Sequence, residues 1–374
     1  ISSPLKTPSK KDRILLQSLV LGKDEVPTIY VRNVAEALHT GLSLLKRDGI
    51  WQESRSGRTI EHPNPVMTIY KRPEERVLFY KIRDANPFFH LFEAFWMLAG
   101  KDNVDYVAQF NSRIKEFSDD GYILNGAYGY RWREYFFRDQ LDYIVDHLKD
   151  FPNSRRAVLQ MWCVDDLEKI VTTPECVDVP CNTQVYFKIR KERLQMTVCC
   201  RSNDIIWGAF GANAVHFSIL QEYMAARIGV PIGTYYHLSD SFHAYEEPFE
   251  KCLGILSNKP HESVLWYDSY LELNQGMHYT PEPIFKYPDK ADRDISMFVQ
   301  RTQTPSTNSL SKVTFTNPFF NETATPMFYA WTQYKQQNYK EALKHANEID
   351  ALDWKKASVE WLERRREKWE SKTK

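Results

Sequence analysis

Residues 179–204 read Val179-Pro-Cys181-Asn-Thr-Gln-Val-Tyr-Phe-Lys-Ile-Arg190-Lys-Glu-Arg193-Leu-Gln-Met-Thr-Val-Cys-Cys200-Arg-Ser-Asn-Asp204. Residues 183–190 and 194–200 are rich in β-branched and aromatic side chains and flank the polar Lys191-Glu192-Arg193, which predicts a hairpin. The adjacent Cys199 and Cys200 then face opposite sides of the returning strand. Pairing of the strands brings Arg201-Ser-Asn-Asp204 back toward Cys181. A thiol is nucleophilic only as thiolate, which needs nearby positive charge. Arg201 offers that charge; a buried structural cysteine is the competing reading.

Outward from the hairpin, residues 157–162 (AVLQMW) predict a buried strand before it, and 232–238 (IGTYYHL) a strand after it. Between them, 214–228 carries the period of an amphipathic helix. Upstream, Asn33 reads as the N-cap of a helix with Val34, Ala37, Leu38, Leu42 and Leu45 in one stripe, ending before Gly49. Short strands are predicted at 66–70 and 77–81. Residues 87–99 (PFFHLFEAFWMLA) read as a buried helix with Pro87 in its first turn and Gly100 after it. Residues 281–326, rich in Pro, Thr, Ser and Asn, predict long loops, and 338–372 predict one or two charged surface helices. The architecture expected is α+β: a mobile arm over 1–14, a main domain over 15–280 with a large mixed β-sheet flanked by helices, and a loop-rich, helical C-terminal extension over 281–374.

Of 374 residues, 43% are hydrophobic, enough to bury a sizeable core. Basic and acidic side chains number 49 each, so no positive field favours stable nucleic-acid or membrane-surface binding, while a small anion held by local arginines remains compatible. Six cysteines at 163, 176, 181, 199, 200 and 252 form no CxxC pair, so reduced thiols and no metal site are expected. The start is polar and Lys-rich, and a cytoplasmic protein of a bacterial or phage-infected cell is expected.

Four further segments carry chemistry, each with a plain structural alternative. Arg155-Arg156 after Asn153-Ser154 suits a phosphate through bidentate bonds, or forms a solvated turn. Glu93 inside an apolar helix is a proton-handling group, or a residue on a face turned to water. Gly208-Ala-Phe-Gly-Ala-Asn213 lets a flat ring approach the backbone while an amide reads its edge, or is a tight turn. It lacks the Lys-Ser/Thr of a P-loop. His243 and Tyr245 are polar tips after a strand, or a satisfied core pair.

In order, these segments resemble the thymidylate synthase superfamily from about Trp51 to Glu247. The segment starting at Glu93 (EAFWMLAG) resembles its Glu-Leu-Leu-Trp-Phe-Leu-x-Gly helix, and Tyr128-Gly-x-x-Trp-Arg133 its Tyr-Gly-x-x-Trp-Arg stretch. Asn153-Ser-Arg-Arg156, Pro180-Cys181, Arg201-Ser-x-Asp204 and His243-x-Tyr245 match further motifs. The resemblance implies Cys181 as nucleophile at pyrimidine C6, with Glu93 and Tyr128 managing protons and Asp204 supporting the catalytic loop. Arg201 and Ser202 would hold phosphate, with Arg55 (or its rival Arg58) beside them. His243 and Tyr245 would hold the sugar, and Trp96 with Asp204 the folate. It further implies a pyrimidine nucleoside monophosphate substrate, 5,10-methylenetetrahydrofolate as one-carbon donor, and a homodimer in which Arg155 and Arg156 reach the neighbouring site.

Departures from the synthase pattern decide between its two possible products. Asn182 stands where the synthase has His, the 208–213 loop is one residue longer, and a charged segment over 360–369 replaces the tail that closes over folate. The Cys181-Asn-Thr and Arg201-Ser-Asn-Asp segments resemble more closely those of the phage nucleotide hydroxymethylases, so water rather than hydride is expected as the final acceptor. Conversion of dUMP to dTMP is the alternative, and a non-catalytic nucleotide- or RNA-binding relative is the alternative of another class. Asn213 suits a uracil edge and favours dUMP slightly over dCMP. If the extra loop residue moves Asn213 out of register, His216 reads the edge instead.

Overall fold

The computed structural model describes residues 19–20, 26–257, 270, 273, 279–306 and 308–373; the arm read at 1–14 lies outside them. Nine strands form one mixed sheet: β1 (Leu19–Val20), β2 (Thr28–Val31), β3 (Ile50–Ser54), β4 (Gly57–Glu61), β5 (Val66–Tyr70), β6 (Ala157–Gln160), β7 (Asn182–Arg190), β8 (Arg193–Asp204) and β9 (Ile232–Tyr245). The main path runs β1-β2-β5-β9-β8-β7-β6, and β4, paired with β3, joins the far half of β9. β8 and β9 are parallel, while β7 is antiparallel to β8. The C-terminal ends of β8 and β9 and the N-terminal end of β7 therefore meet at one edge, where Cys181, Ser202, Asp204, His243 and Tyr245 sit.

The hairpin turn is tighter than its sequence suggests. Arg190 pairs with Arg193, leaving only Lys191 and Glu192 in the turn, at φ 50° and 60°. Arg193 is recruited to the strand because a two-residue turn with both φ positive matches strand twist. At the other end, the register shifts between Asn182 and Gln184, a bulge next to Cys181.

Three elements differ from expectation. Residues 77–81 form no strand; Val77 N–H donates to the Tyr270 hydroxyl (3.1 Å) instead of to a ladder. The strand before the hairpin stops at Gln160 and is half exposed, because it lies at the sheet edge with Val158 turned outward. The stretch expected as long loops contains a helix, Ala291–Arg301. Its buried Ala291, Ile295, Phe298 and Val299 recur at helical spacing and outweigh the polar composition around them.

The core is continuous from the sheet to the C-terminal helices. We label the helices α1 (Val34–Asp48), α2 (Pro87–Leu98), α3 (Tyr128–Arg133), α4 (Asn213–Ile228), α5 (Ala291–Arg301), α6 (Thr325–Lys335), α7 (Tyr339–Asn347) and α8 (Leu352–Thr373). Every residue of α2 is buried, as expected for a helix apolar all round. Phe92 packs against Phe110 at 4.8 Å and Phe298 of α5 at 5.5 Å, and Phe95 stacks on Phe320 at 4.8 Å. A cluster of aromatic rings thus surrounds the helix that carries Glu93.

Candidate active site

The cavity at the β8–β9 edge has a volume of about 540 Å³. It is lined by Glu93, Trp96, Tyr128, Cys181, Ser202, Asp204, Asn213, His216, His243 and Tyr245 among others, so ten of the residues singled out in the sequence share one hollow. Of the rest, Arg201 and Arg55 lie outside the lining but close enough for their charges to act on the Cys181 thiol. Arg155 and Arg156 line a separate open hollow with His147, Phe151 and Asn153.

Cys181 immediately precedes β7, and its carbonyl accepts the Arg201 N–H at 2.9 Å. The Arg201 side chain grips the approach to it: Nε donates to Pro180 O and Nη2 to Val179 O, both at 3.0 Å. Arg55 donates to Cys176 O on the same segment. Burial pushes the thiol pKa above its ordinary value, while Arg201 and then Arg55 pull against that rise. The resting cysteine is thus a thiol, with two cations placed to favour the thiolate.

Tyr128 opens α3 and stacks on Phe217 at 5.7 Å. Gly129 makes this placement possible, since a Cβ there would stand 1.8 Å from Met97 O. α3 therefore lies directly on the end of α2, which sets Tyr128 beside the cavity. Burial, then the charge of Cys181, raises the phenol pKa well above normal, so the hydroxyl keeps its proton.

Glu93 is buried on α2, and His216 Nε2 of α4 lies 3.2 Å from its Oε2. Neither ring nitrogen of His216 makes a well-directed hydrogen bond, so buried polar atoms remain unmatched beside this cavity. Trp96 is anchored by Nε1 donating to Asn103 Oδ1 at 3.1 Å. Arg83, buried, donates from Nε to Ile206 O at 2.8 Å and lies 4.5 Å over the Trp207 ring. Flat walls (Phe89, Trp96, Trp207) with spare polar atoms suit a planar, polar-edged ligand such as a fused folate ring.

Asp204 caps the turn Ile205–Ala212, accepting from Ile206 N at 2.9 Å and Trp207 N at 2.5 Å, and also accepts Tyr245 N at 3.3 Å. Burial raises its carboxyl pKa; the Trp207 N–H and His243 oppose the rise. That turn is helical but kinked at Phe210 and Gly211, and it runs directly into α4. Gly211 is required at the kink, because a Cβ would meet Ile206 O at 2.7 Å. The kink brings Asn213 to the cavity wall, where its Nδ2 donates to Asn203 Oδ1 at 3.2 Å. His243 is oriented by Ser241 Oγ at 3.0 Å from Nδ1 and meets Tyr245 edge to face at 5.8 Å.

Sequence reasoning did not single out Arg83, His90, Asn203 or Trp207, which also line this cavity, nor His237 behind it. Asn203 and His237 leave a faint signal, as polar residues at inward-facing strand positions. Nothing in the local sequence marks Arg83. Among the described residues no helix is long and apolar enough to cross a membrane, and no group of three or more His, Cys, Asp or Glu could hold a metal ion.

A family profile described as "Thymidylate synthase" matches residues 30–280. A "Deoxyuridylate hydroxymethyltransferase" of Pseudomonas phage M6 is 43% identical over 353 residues, covering 92% of this chain and 96% of the phage protein. Proteins of the same description from Bacillus phage SP01 and Delftia phage PhiW-14 are 34% and 29% identical over 60% and 57% of this chain. Those two matches span 63% and 60% of the respective phage proteins.

Proposed function

The chain belongs to the thymidylate synthase family, and from that premise we propose that it hydroxymethylates dUMP at C5. The one-carbon donor is 5,10-methylenetetrahydrofolate and the mechanism passes through a covalent cysteine adduct. The observation carrying this reading is the cavity shared by Cys181, Glu93, Tyr128, Asp204, Asn213 and His243. The relatives described as deoxyuridylate hydroxymethyltransferases support water, rather than hydride, as the final acceptor.

Cys181 Sγ, once deprotonated, bonds to C6 of the pyrimidine, and the C5–C6 π electrons move to C5. Arg201 and Arg55 favour the thiolate by their charge and, with Ser202, hold the phosphate so that C6 meets sulfur. Folate, when bound, supplies a one-carbon unit to C5; Trp96 would hold its ring face and Asp204 its polar edge. Glu93, with His216 at 3.2 Å, is placed to carry the protons lost from C5 and from the attacking water. Tyr128, protonated and beside Cys181, donates into the same network. His243 and Tyr245 hold the sugar, and Asn213 reads the base edge. Loss of the C5 proton would break the bond from the new carbon to the folate nitrogen, releasing tetrahydrofolate and leaving an exocyclic methylene. Water then adds to that carbon and gives up a proton, and the electrons returned to C5 expel the cysteine from C6.

We further propose a homodimer in the cytoplasm of the host cell. Arg155 and Arg156 lie outside their own chain's cavity. Exposed apolar side chains lie on the same part of the sheet edge: Phe151, which shares the arginines' hollow, and Val158 and Tyr186, which pair across β6 and β7. Such a patch suits an isologous interface, which would deliver the two arginines to the partner's phosphate.

Mass analysis of product from dUMP and methylenetetrahydrofolate tests the reaction. 5-Hydroxymethyl-dUMP without dihydrofolate is expected. Formation of dTMP with stoichiometric dihydrofolate would instead make the chain a synthase, and absence of tritium release from C5-labelled nucleotide would make it a non-catalytic relative.

A further inference from the structure

Behind Asn213 lies a chain of hydrogen bonds that the reaction itself does not use. Asn213 Nδ2 donates to Asn203 Oδ1 (3.2 Å), and Asn203 Nδ2 reaches both His237 Nε2 (2.9 Å) and Ser239 Oγ (2.8 Å). His237 Nδ1 lies 2.8 Å from the Tyr235 hydroxyl, and its Nε2 lies 3.3 Å from Cys200 Sγ. Asn203, His237 and Ser239 are all buried. Burial takes the His237 imidazole down to about 3, so it is neutral, with one donor and one acceptor nitrogen. Burial also raises the Cys200 thiol well above its ordinary range, so it keeps its proton. The amide nitrogen of Asn203 can only donate, so the acceptor on His237 is Nε2, and Nδ1–H donates to the Tyr235 hydroxyl.

The polarity of the whole chain follows. Asn203 turns its two N–H bonds to His237 and Ser239 and its oxygen to Asn213. Asn213 must answer with an N–H, since a flipped amide would set two carbonyl oxygens about 3.2 Å apart in a buried site. Held this way, Asn213 keeps its other N–H beside its own oxygen, and among the described residues that oxygen accepts no hydrogen bond. A neighbouring N–H and C=O match O4 and N3–H of uracil. Cytosine, with N4–H and a bare N3, needs the reverse order, which the flipped amide alone would supply.

We propose that Asn203, locked by His237, holds the amide of Asn213 in the orientation that accepts uracil and refuses cytosine, so that specificity is set by residues that position Asn213 and not by Asn213 alone. This rests on the reading that Asn213 faces the base. It differs from that reading in assigning the discrimination to Asn203 and His237, without which an asparagine amide rotates to suit either base.

The test is tritium release from C5-labelled dUMP and dCMP by the full-length protein. Asn203→Ala and His237→Leu should each lower the dUMP:dCMP ratio of kcat/KM about tenfold, chiefly through a gain on dCMP, with kcat on dUMP changed only a few-fold. His237→Gln, whose side-chain oxygen again accepts from Asn203, should restore most of the preference. Ser239→Ala, a smaller change for use if the others do not fold, should lower the ratio partially. An unchanged ratio in these variants, or an equal loss on both nucleotides, overturns the proposal. Asn213→Asp separates the premises: a preference altered there but untouched at Asn203 and His237 sinks this inference alone. A preference unaltered at Asn213 removes the base-reading role and this inference with it.

Discussion

Cys181 shows how one side chain's environment sets its chemistry. Its thiol pKa is raised above the ordinary 9.0 by burial and restrained by Arg201 and Arg55. The thiolate population therefore grows with pH beyond that of an exposed cysteine. Alkylation by iodoacetamide, taken as the difference between the parent and Cys181→Ala, should still be accelerating at about pH 9; a plateau near neutrality would contradict it. Cys181→Ala should lower C5 tritium release by about a thousandfold or more while leaving dUMP affinity, measured by calorimetry, within a few-fold.

At the scale of elements, a strained turn far from the site and a close helix contact beside it have different consequences. Lys191 and Glu192 both occupy the left-handed region, at φ 50° and 60°, where side chains cost about 1 kcal/mol each. The double change Lys191→Asn with Glu192→Gly should raise stability by about 1 kcal/mol in thermal melts without altering turnover, since the turn lies at the end of the hairpin away from Cys181. Gly129→Ala places a methyl against Met97 O, which should force α3 off α2 and cost about 2–3 kcal/mol with a marked fall in activity. The strands β5, β7, β8 and β9 were legible because β-branched and aromatic residues recur along them between turn residues. The helices α1, α2 and α4 were legible because their apolar runs are long and end at Gly49, Gly100 and Gly229. Residues 77–81 were misread, since an extended apolar run looks the same whether it pairs with a strand or with the hydroxyl of Tyr270.

Across the whole molecule, the C-terminal helices buttress the helix that carries Glu93. Trp361 of α8 packs on Phe88 of α2 at 5.6 Å and on Tyr334 of α6 at 5.0 Å. Trp361→Ala should cost about 3–5 kcal/mol by denaturant unfolding. At the other end of α8, Asp353 is buried, and its carboxyl is raised from 3.8 to about 6, by burial against the pull of the Trp354 N–H and Arg76. The folded state thus holds a proton that the unfolded state releases, and this residue's contribution falls as pH rises from about 4 to about 6. Asp353→Asn should gain about 1–3 kcal/mol near pH 7.5, with the gain vanishing near pH 4. If Arg155 and Arg156 complete the partner's site, mixing inactive Cys181→Ala with an inactive Arg155→Ala, Arg156→Ala double variant should regain activity; none on mixing would point to sites complete within one chain.

The sequence by itself determined the hairpin, the buried helix around Glu93, and the motifs from Glu93 to Tyr245. These depend on local periodicity and on residue types that a single reaction needs together. Only the tertiary structure decided how they converge. The parallel pairing of β8 with β9 set Ser202, Asp204, His243 and Tyr245 at one edge, and the register of β7 against β8 added Cys181. Tertiary structure also tied Asn213 through Asn203 to His237, a link over 34 positions between Asn203 and His237 that no local pattern encodes. Orientation of a buried amide depends on partners supplied by other strands, so it exists only once the sheet has formed.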